Sequence, residues 1–317
     1  MEKMLIKAAL IAAFVTVLFY VAYYIIGVDW TFVLDNPIFG NFKLTGSSTG
    51  QKRVFYAGQL VIFVLYASSL TQLIQPKIDS MSAISIVNGQ TKTTNLLLLG
   101  LSVISLFFFT ASKGYLLGGM FLFVFIPILL FWRGGGDSGK KSKYMSSMLL
   151  YAAIGVVTIL IFILTGYGNI AEVIFDKNDV ANLDRYEQLG YLLNDLKFFG
   201  NGLGAEIMNF TRSDDKPYGF ELVYFNIIHK FGVFALLIIF SYFYTIYKCA
   251  KMFFNPLIDK RIAAAALGCM GYLFPSFGNP LLFSPQSVIL HCVALYFIRI
   301  YEPYINLGFI KHTKATA

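Results

Sequence analysis

Apolar blocks of roughly 20 residues recur along the whole chain, the length at which a helix matches the hydrocarbon thickness of a bilayer. Eight can be drawn: Met4 to Gly27, Val54 to Ile74, Asn95 to Ala111, Tyr115 to Trp132, Ser146 to Tyr167, Leu222 to Lys248, Ile262 to Phe277 and Phe283 to Tyr301. Unpaired backbone N–H and C=O groups are too costly in hydrocarbon, and blocks of this length satisfy them as helices. The expected fold is all-α, a polytopic helical membrane protein of about eight transmembrane helices with one large outer loop, residues 1–317 forming a single integral membrane domain. Composition agrees: 57% of residues are hydrophobic, only 13% are charged and the mean hydropathy is +0.67, far beyond what a soluble domain needs. Lys3 and Lys7 lead into the first block, but its apolar core is too long for a signal peptide and has no small-residue cleavage site, so a retained anchor is expected.

Orientation follows from the cations. With the N-terminus inside, the cytoplasmic segments carry 15 cations against five acids, and the outer segments carry nine against 12. Both termini are therefore expected in the cytoplasm. The net charge of +8 reads as anchoring to an anionic inner leaflet rather than as nucleic-acid binding. Cys249, Cys269 and Cys292 lie at or within spans and supply no outer disulfide framework, while His229, His291 and His312 are too scattered for metal ligation. No phosphate loop, dinucleotide fingerprint or Ser/His/Asp arrangement is present, and the glycines of "WRGGGDSGKKSK" sit in an inner turn.

The outer side is more informative. Residues 168–221 form a loop of 54 residues, far longer than a turn requires. Within it, "NLDRYEQLGYLLNDLKFFGNGLG" predicts a helix capped by Asn182 or Asp184 and running up to Phe199. Leu183, Tyr186, Leu189, Leu192, Leu193 and Leu196 would share one side, before Gly200, Gly202 and Gly204 stop it. Such a helix would lie on the membrane surface. The cations on this face gather near span mouths: Lys43, Lys52 and Arg53 before the second span, Lys113 at the hinge in "FFFTASKGYLLGG", Arg185 on the surface helix, and Arg212 and Lys216 before the sixth span. Singly each reads as a solvated or snorkelling charge; together they suit a diphosphate, whose oxygens accept strong charge-assisted hydrogen bonds. Glu221, directly ahead of the sixth span, is either a paired interfacial carboxylate or a general base. His229 and Lys230 lie about two turns further on, where ionisable groups face protein or water rather than lipid.

Thr110, Ser112, Lys113 and Gly114 at the hinge, then Arg185, then Gly202 and Gly204, then Glu221 and Gly232, form an ordered set. In this order the chain resembles the O-antigen ligase/polymerase superfamily of membrane glycosyltransferases. Lys113 stands where an arginine is commoner, which keeps the charge and loses the bidentate fork. Glu221 stands where ligases have histidine, which favours a repeat-unit polymerase. Members usually have more spans than these eight. The resemblance implies transfer of a glycan from an undecaprenyl-diphosphate donor to an acceptor of the same kind at the outer face of the bacterial inner membrane, as in O-antigen or capsule assembly. It implies Glu221 and Arg185 as catalytic residues, and Lys113, Arg185, Arg212, Lys216, Lys52 and Arg53 as the diphosphate-binding set. It implies no metal, nucleotide or other cofactor, and as partners the two lipid-linked glycans, membrane lipids, a chain-length regulator protein and no nucleic acid. An O-antigen ligase and a transporter or flippase of lipid-linked glycans are the alternatives; a transporter would be expected to show internal repeats, and none is visible.

Overall fold

A computed structural model describes residues 2–28, 43–46, 52–74, 92–110, 113–134, 180–207, 210, 220–255, 257–277 and 281–314. The described chain is mostly helical. α1 (Glu2–Tyr20) continues through a π-helical turn, Val21–Ile26, and α2 (Ile62–Ile74) follows a tight 3-10 turn, Ala57–Val61. α3 (Lys92–Val103) runs into a second π turn, Ile104–Phe109, and α4 spans Lys113–Gly134. Then come α5 (Val180–Asn194), α6 (Val223–Phe231), α7 (Ala235–Phe254), α8 (Lys260–Cys269) and α9 (Pro285–Lys314). An all-helical chain was expected; the structure adds one short antiparallel hairpin, β1 (Lys43–Gly46) and β2 (Lys52–Phe55), with Thr45 opposite Arg53.

Among the described residues, three helical stretches are long and apolar enough to cross a bilayer: Met4–Ile26, Val223–Phe254 and Pro285–Ile305. The expected second, third and fourth spans correspond to shorter apolar helices, Gly58–Ile74, Thr93–Phe107 and Gly114–Leu130. The expected span Ser146 to Tyr167 lies outside the described residues. The sixth expected span is divided at Gly232, whose φ of +55° breaks the helix between α6 and α7.

The expected seventh span is a buried central piece. All ten residues of α8 are buried, and the chain then tightens into 3-10 turns at Met270–Leu273 and Pro275–Phe277. α8 packs on α2, itself almost wholly buried. Small residues make the contact: a Cβ added to Gly268 would lie 2.8 Å from the Phe63 carbonyl oxygen and the Val64 Cα, and Ala264 sits one turn earlier. Without a hydrophobic force between helices in lipid, this close backbone approach is what membrane helices use to associate. Polar side chains add cross-links. His291 of α9 lies 2.9 Å from the Tyr272 hydroxyl and 3.4 Å from that of Thr245. Gln59 donates to the Val54 carbonyl at 2.8 Å and to Thr16 of α1, holding β2 against the first helix.

Lys260 and Arg261, counted among the cations expected on the cytoplasmic side, are buried. Lys260 Nζ donates to the carbonyls of Met252, Asn255 and Ile258, and Arg261 forks onto Asp259. Carbonyls at a helix end have no intrahelical donor, and here a lysine serves that of Met252 in the last turn of α7 and two in the segment that follows.

The hinge after the third apolar block has a cause the sequence does not display. Thr110 is buried, its hydroxyl donating to the Ser105 carbonyl at 2.8 Å, and Lys113 opens α4. Gly114 was placed at the hinge by the sequence. It lies instead inside the first turn of α4, where a Cβ would stand 2.5 Å from the Cα of Pro275 and 3.1 Å from the Phe274 carbonyl oxygen. Its role is close approach, which brings the start of α4 onto the Pro275–Phe277 turn. Gly114→Ala is therefore expected to destabilise the purified protein by about 1–3 kcal/mol through overpacking. Gly100→Ala, at a helical position where a Cβ meets nothing within 4 Å, should leave the thermal midpoint unchanged or raise it.

Candidate functional site

α5 presents Arg185, Gln188 and Leu192 on one face, and Asp195 just past its end continues the line, a spacing of three, four and three residues. That face is the one turned toward α6. Arg185 Nε donates to Glu221 Oε2 at 3.1 Å, joining residues 36 apart in sequence, and the two side chains are 28% and 17% exposed. Gln188, one turn further, is buried and accepts a hydrogen bond from the Leu222 backbone N–H at 2.9 Å. The peptide that follows Glu221 is thus pinned to α5, and the carboxylate is held opposite the guanidinium.

A second contact closes the other end of the seam. His229 of α6 is fully buried, and its Nε2 lies 2.9 Å from Asp195 Oδ2, the imidazole N–H donating to the carboxylate. Phe220 packs edge-on against the imidazole ring. Gln188 Nε2, Asn226 Oδ1 and His229 Nδ1 are also buried along α5 and α6 with no hydrogen-bond partner among the described residues. A small satellite core of Leu192, Ile207 and Phe220, flanked by Tyr191, Phe210 and Leu222, fills the rest.

The chain after α5 folds back over the end of α6. The backbone N–H of Asn201 donates to the His229 carbonyl at 2.9 Å and that of Gly202 to the Lys230 carbonyl at 3.0 Å, while the Val233 N–H donates to the Phe198 carbonyl at 2.8 Å. Orphan carbonyls at a helix end need donors, and here a loop supplies them. Gly200 and Gly232 permit the crossing: both have positive φ, and a Cβ on either would overlap backbone of the opposing strand of chain. Lys230 Nζ donates to the Leu203 carbonyl at 2.8 Å, tying the loop from the other side.

Several expectations change. The surface helix begins at Val180 and ends at Asn194, so Asn182 and Asp184 lie within it rather than capping it, and it stops five residues before Phe199. Most of the apolar residues expected on its membrane side are exposed. Leu192 is buried and Leu189 half-buried, but Leu183, Tyr186, Leu193 and Leu196 are exposed, because the seam with α6 is largely polar. Of the glycine turn, Gly202 has φ +91° and Gly200 makes the close contact; a Cβ on Gly204 meets nothing within 4 Å.

Of the cations expected to bind a diphosphate, Arg185 lies at Glu221, and the elements that carry Lys113, Lys52 and Arg53 are placed as follows. Lys113 opens α4 beside the Pro275–Phe277 turn, and the same turn receives α6: the Tyr224 hydroxyl donates to the Leu273 carbonyl at 2.8 Å and its ring lies 4.5 Å from that of Phe277. The backbone at Lys113 and the α6 turn that follows Glu221 therefore share one support. Lys52 and Arg53 lie on β2, which packs against the Ile104–Phe109 turn leading into the hinge. Arg212 and Lys216 lie outside the described residues. Sequence reasoning missed Gln188, Asp195 and Asn201. The spacing of Arg185, Gln188, Leu192 and Asp195 was the available signal, obscured by the leucines between them.

A guanidinium and a carboxylate within one hydrogen-bond length, both partly exposed, offer an anion-binding group and a proton acceptor in one place. Asp195→Ala would leave the His229 N–H buried with no acceptor, a cost of about 1–3 kcal/mol. Amide exchange in α5 and in 198–203 should then accelerate, while Asp184→Ala, at an exposed position, leaves it unchanged.

Compared with protein-family models, with curated proteins and with solved structures, the chain matches none.

Proposed function

We propose that this protein is a membrane glycosyltransferase that polymerises undecaprenyl-diphosphate-linked oligosaccharide repeat units, of O-antigen or capsular polysaccharide, at the outer face of the bacterial inner membrane. The observation that carries the reading is the pairing of Arg185 with Glu221 across 36 residues of sequence, on helices held together by a buried polar seam. The proposal keeps the eight-span topology with both termini inside, so that α5 and the hinge face outward.

In this reading the ion pair is a resting contact. The donor's diphosphate, a denser anion than a carboxylate, takes Arg185, with Lys113 and the β2 cations adding charge from the hinge side. Glu221 then accepts the proton of the acceptor sugar's hydroxyl as that oxygen bonds to the donor's anomeric carbon. The bond from that carbon to the phosphate oxygen breaks, the electron pair leaves with the polyprenyl diphosphate, and Arg185 stabilises the charge that develops there. Both substrates are anchored by lipid tails, and the bilayer restricts their approach to two dimensions.

The test is the surface glycan profile of a deletion strain carrying each variant. The native gene should restore a full ladder of polymerised repeats. Arg185→Ala and Glu221→Ala, expressed at native level, should leave single repeat units capping the core. A full ladder from either variant would overturn the catalytic assignment. Loss of all attached repeats in the deletion strain would point to a ligase or a flippase.

A further inference from the structure

The loop that caps α6 carries a group of side chains the seam does not use. Phe198, Phe199 and Leu203 are 72%, 71% and 70% exposed, although the backbone beneath them is among the most closely tied parts of the chain. Exposed aromatic groups on a fixed loop are not random surface residues, since a solvated turn of this shape would carry polar side chains. Their position identifies the neighbour. The Phe198 carbonyl accepts from Val233, and the Phe199 ring lies 6.3 Å from that of Phe234, at the start of α7. From Phe234 the apolar surface continues down α7 through Leu237 and Phe240, all well exposed, in a stretch long and apolar enough to cross a bilayer. The loop's apolar residues are thus a lateral extension of a lipid-facing helix surface.

We propose that Phe198, Phe199 and Leu203 form a foot embedded among the acyl chains of the leaflet at which α7 begins. Two lysines frame it: Lys197 is exposed beside the aromatic pair, and Lys230 donates to the Leu203 carbonyl, placing cations where lipid headgroups lie. The foot fixes the depth of α5 and hence of the Arg185–Glu221 pair, which is held at headgroup level without crossing the membrane. This holds whatever chemistry the pair performs, because it depends only on α7 crossing the bilayer.

Single tryptophans test it in a background with Trp30 and Trp132 replaced by phenylalanine. Full-length Phe198→Trp and Phe199→Trp variants are reconstituted into phosphatidylcholine and phosphatidylglycerol vesicles containing acyl-brominated lipid. Leu237→Trp reports full lipid contact, and Glu187→Trp, at an exposed acidic position of α5, reports water. The foot residues should be quenched by brominated lipid at least half as strongly as Leu237→Trp and shielded from aqueous iodide, with the opposite pattern at Glu187→Trp. Iodide quenching of both foot tryptophans, with brominated-lipid quenching no greater than at Glu187→Trp, would overturn the proposal and assign the patch to a protein partner.

Discussion

The closure of the loop 198–203 onto the end of α6 holds α5 and α6 together. A helix end in a poorly solvated region must find donors for its last carbonyls, and here Asn201 and Gly202 supply them from a distant segment. The crossing is possible only because Gly200 and Gly232 carry no side chain. Once the chain is held there, α5 is forced to run back along α6. Asp195 then meets His229, Gln188 meets the peptide after Glu221, and Arg185 arrives at the carboxylate. The ion pair is the last member of a series of contacts, each set by the one before.

The same logic operates beneath it. Gly268 lets α8 approach α2, and Gly114 lets α4 approach the Pro275–Phe277 turn, on whose other side Tyr224 seats α6. The hinge and the α5–α6 pair are therefore parts of one support, although Gly114 and the end of α5 at Asn194 lie 80 positions apart in sequence.

Much of the architecture was legible because lipid imposes it. Three stretches long and apolar enough to cross follow directly from block length and composition. Where the blocks are interrupted by tight turns, hydropathy alone does not show the interruption. Ile262 to Phe277 has the hydropathy of a span but folds as ten helical residues and two 3-10 turns, since small residues let it sink between its neighbours. Arg185 and Glu221 could be singled out from charge in an unusual place. Their partners could not: Gln188, Asp195 and Asn201 are ordinary polar residues whose role comes from a fold-back specified by glycine geometry. The leucines of α5 drew attention to its apolar side, and several of them are exposed, whereas the side packed on α6 is a polar seam.

The central claim is that Arg185 and Glu221 act chemically and are not merely a fastening between α5 and α6. Chain extension by the purified protein in detergent, supplied with polyprenyl-diphosphate-linked repeat units, tests it most directly, with no compartment to transport across. The native protein should yield a ladder of products. The double variant Arg185→Glu with Glu221→Arg keeps an ion pair at the same place and should yield none. A ladder from the exchanged pair, or none from the native protein, would contradict the account.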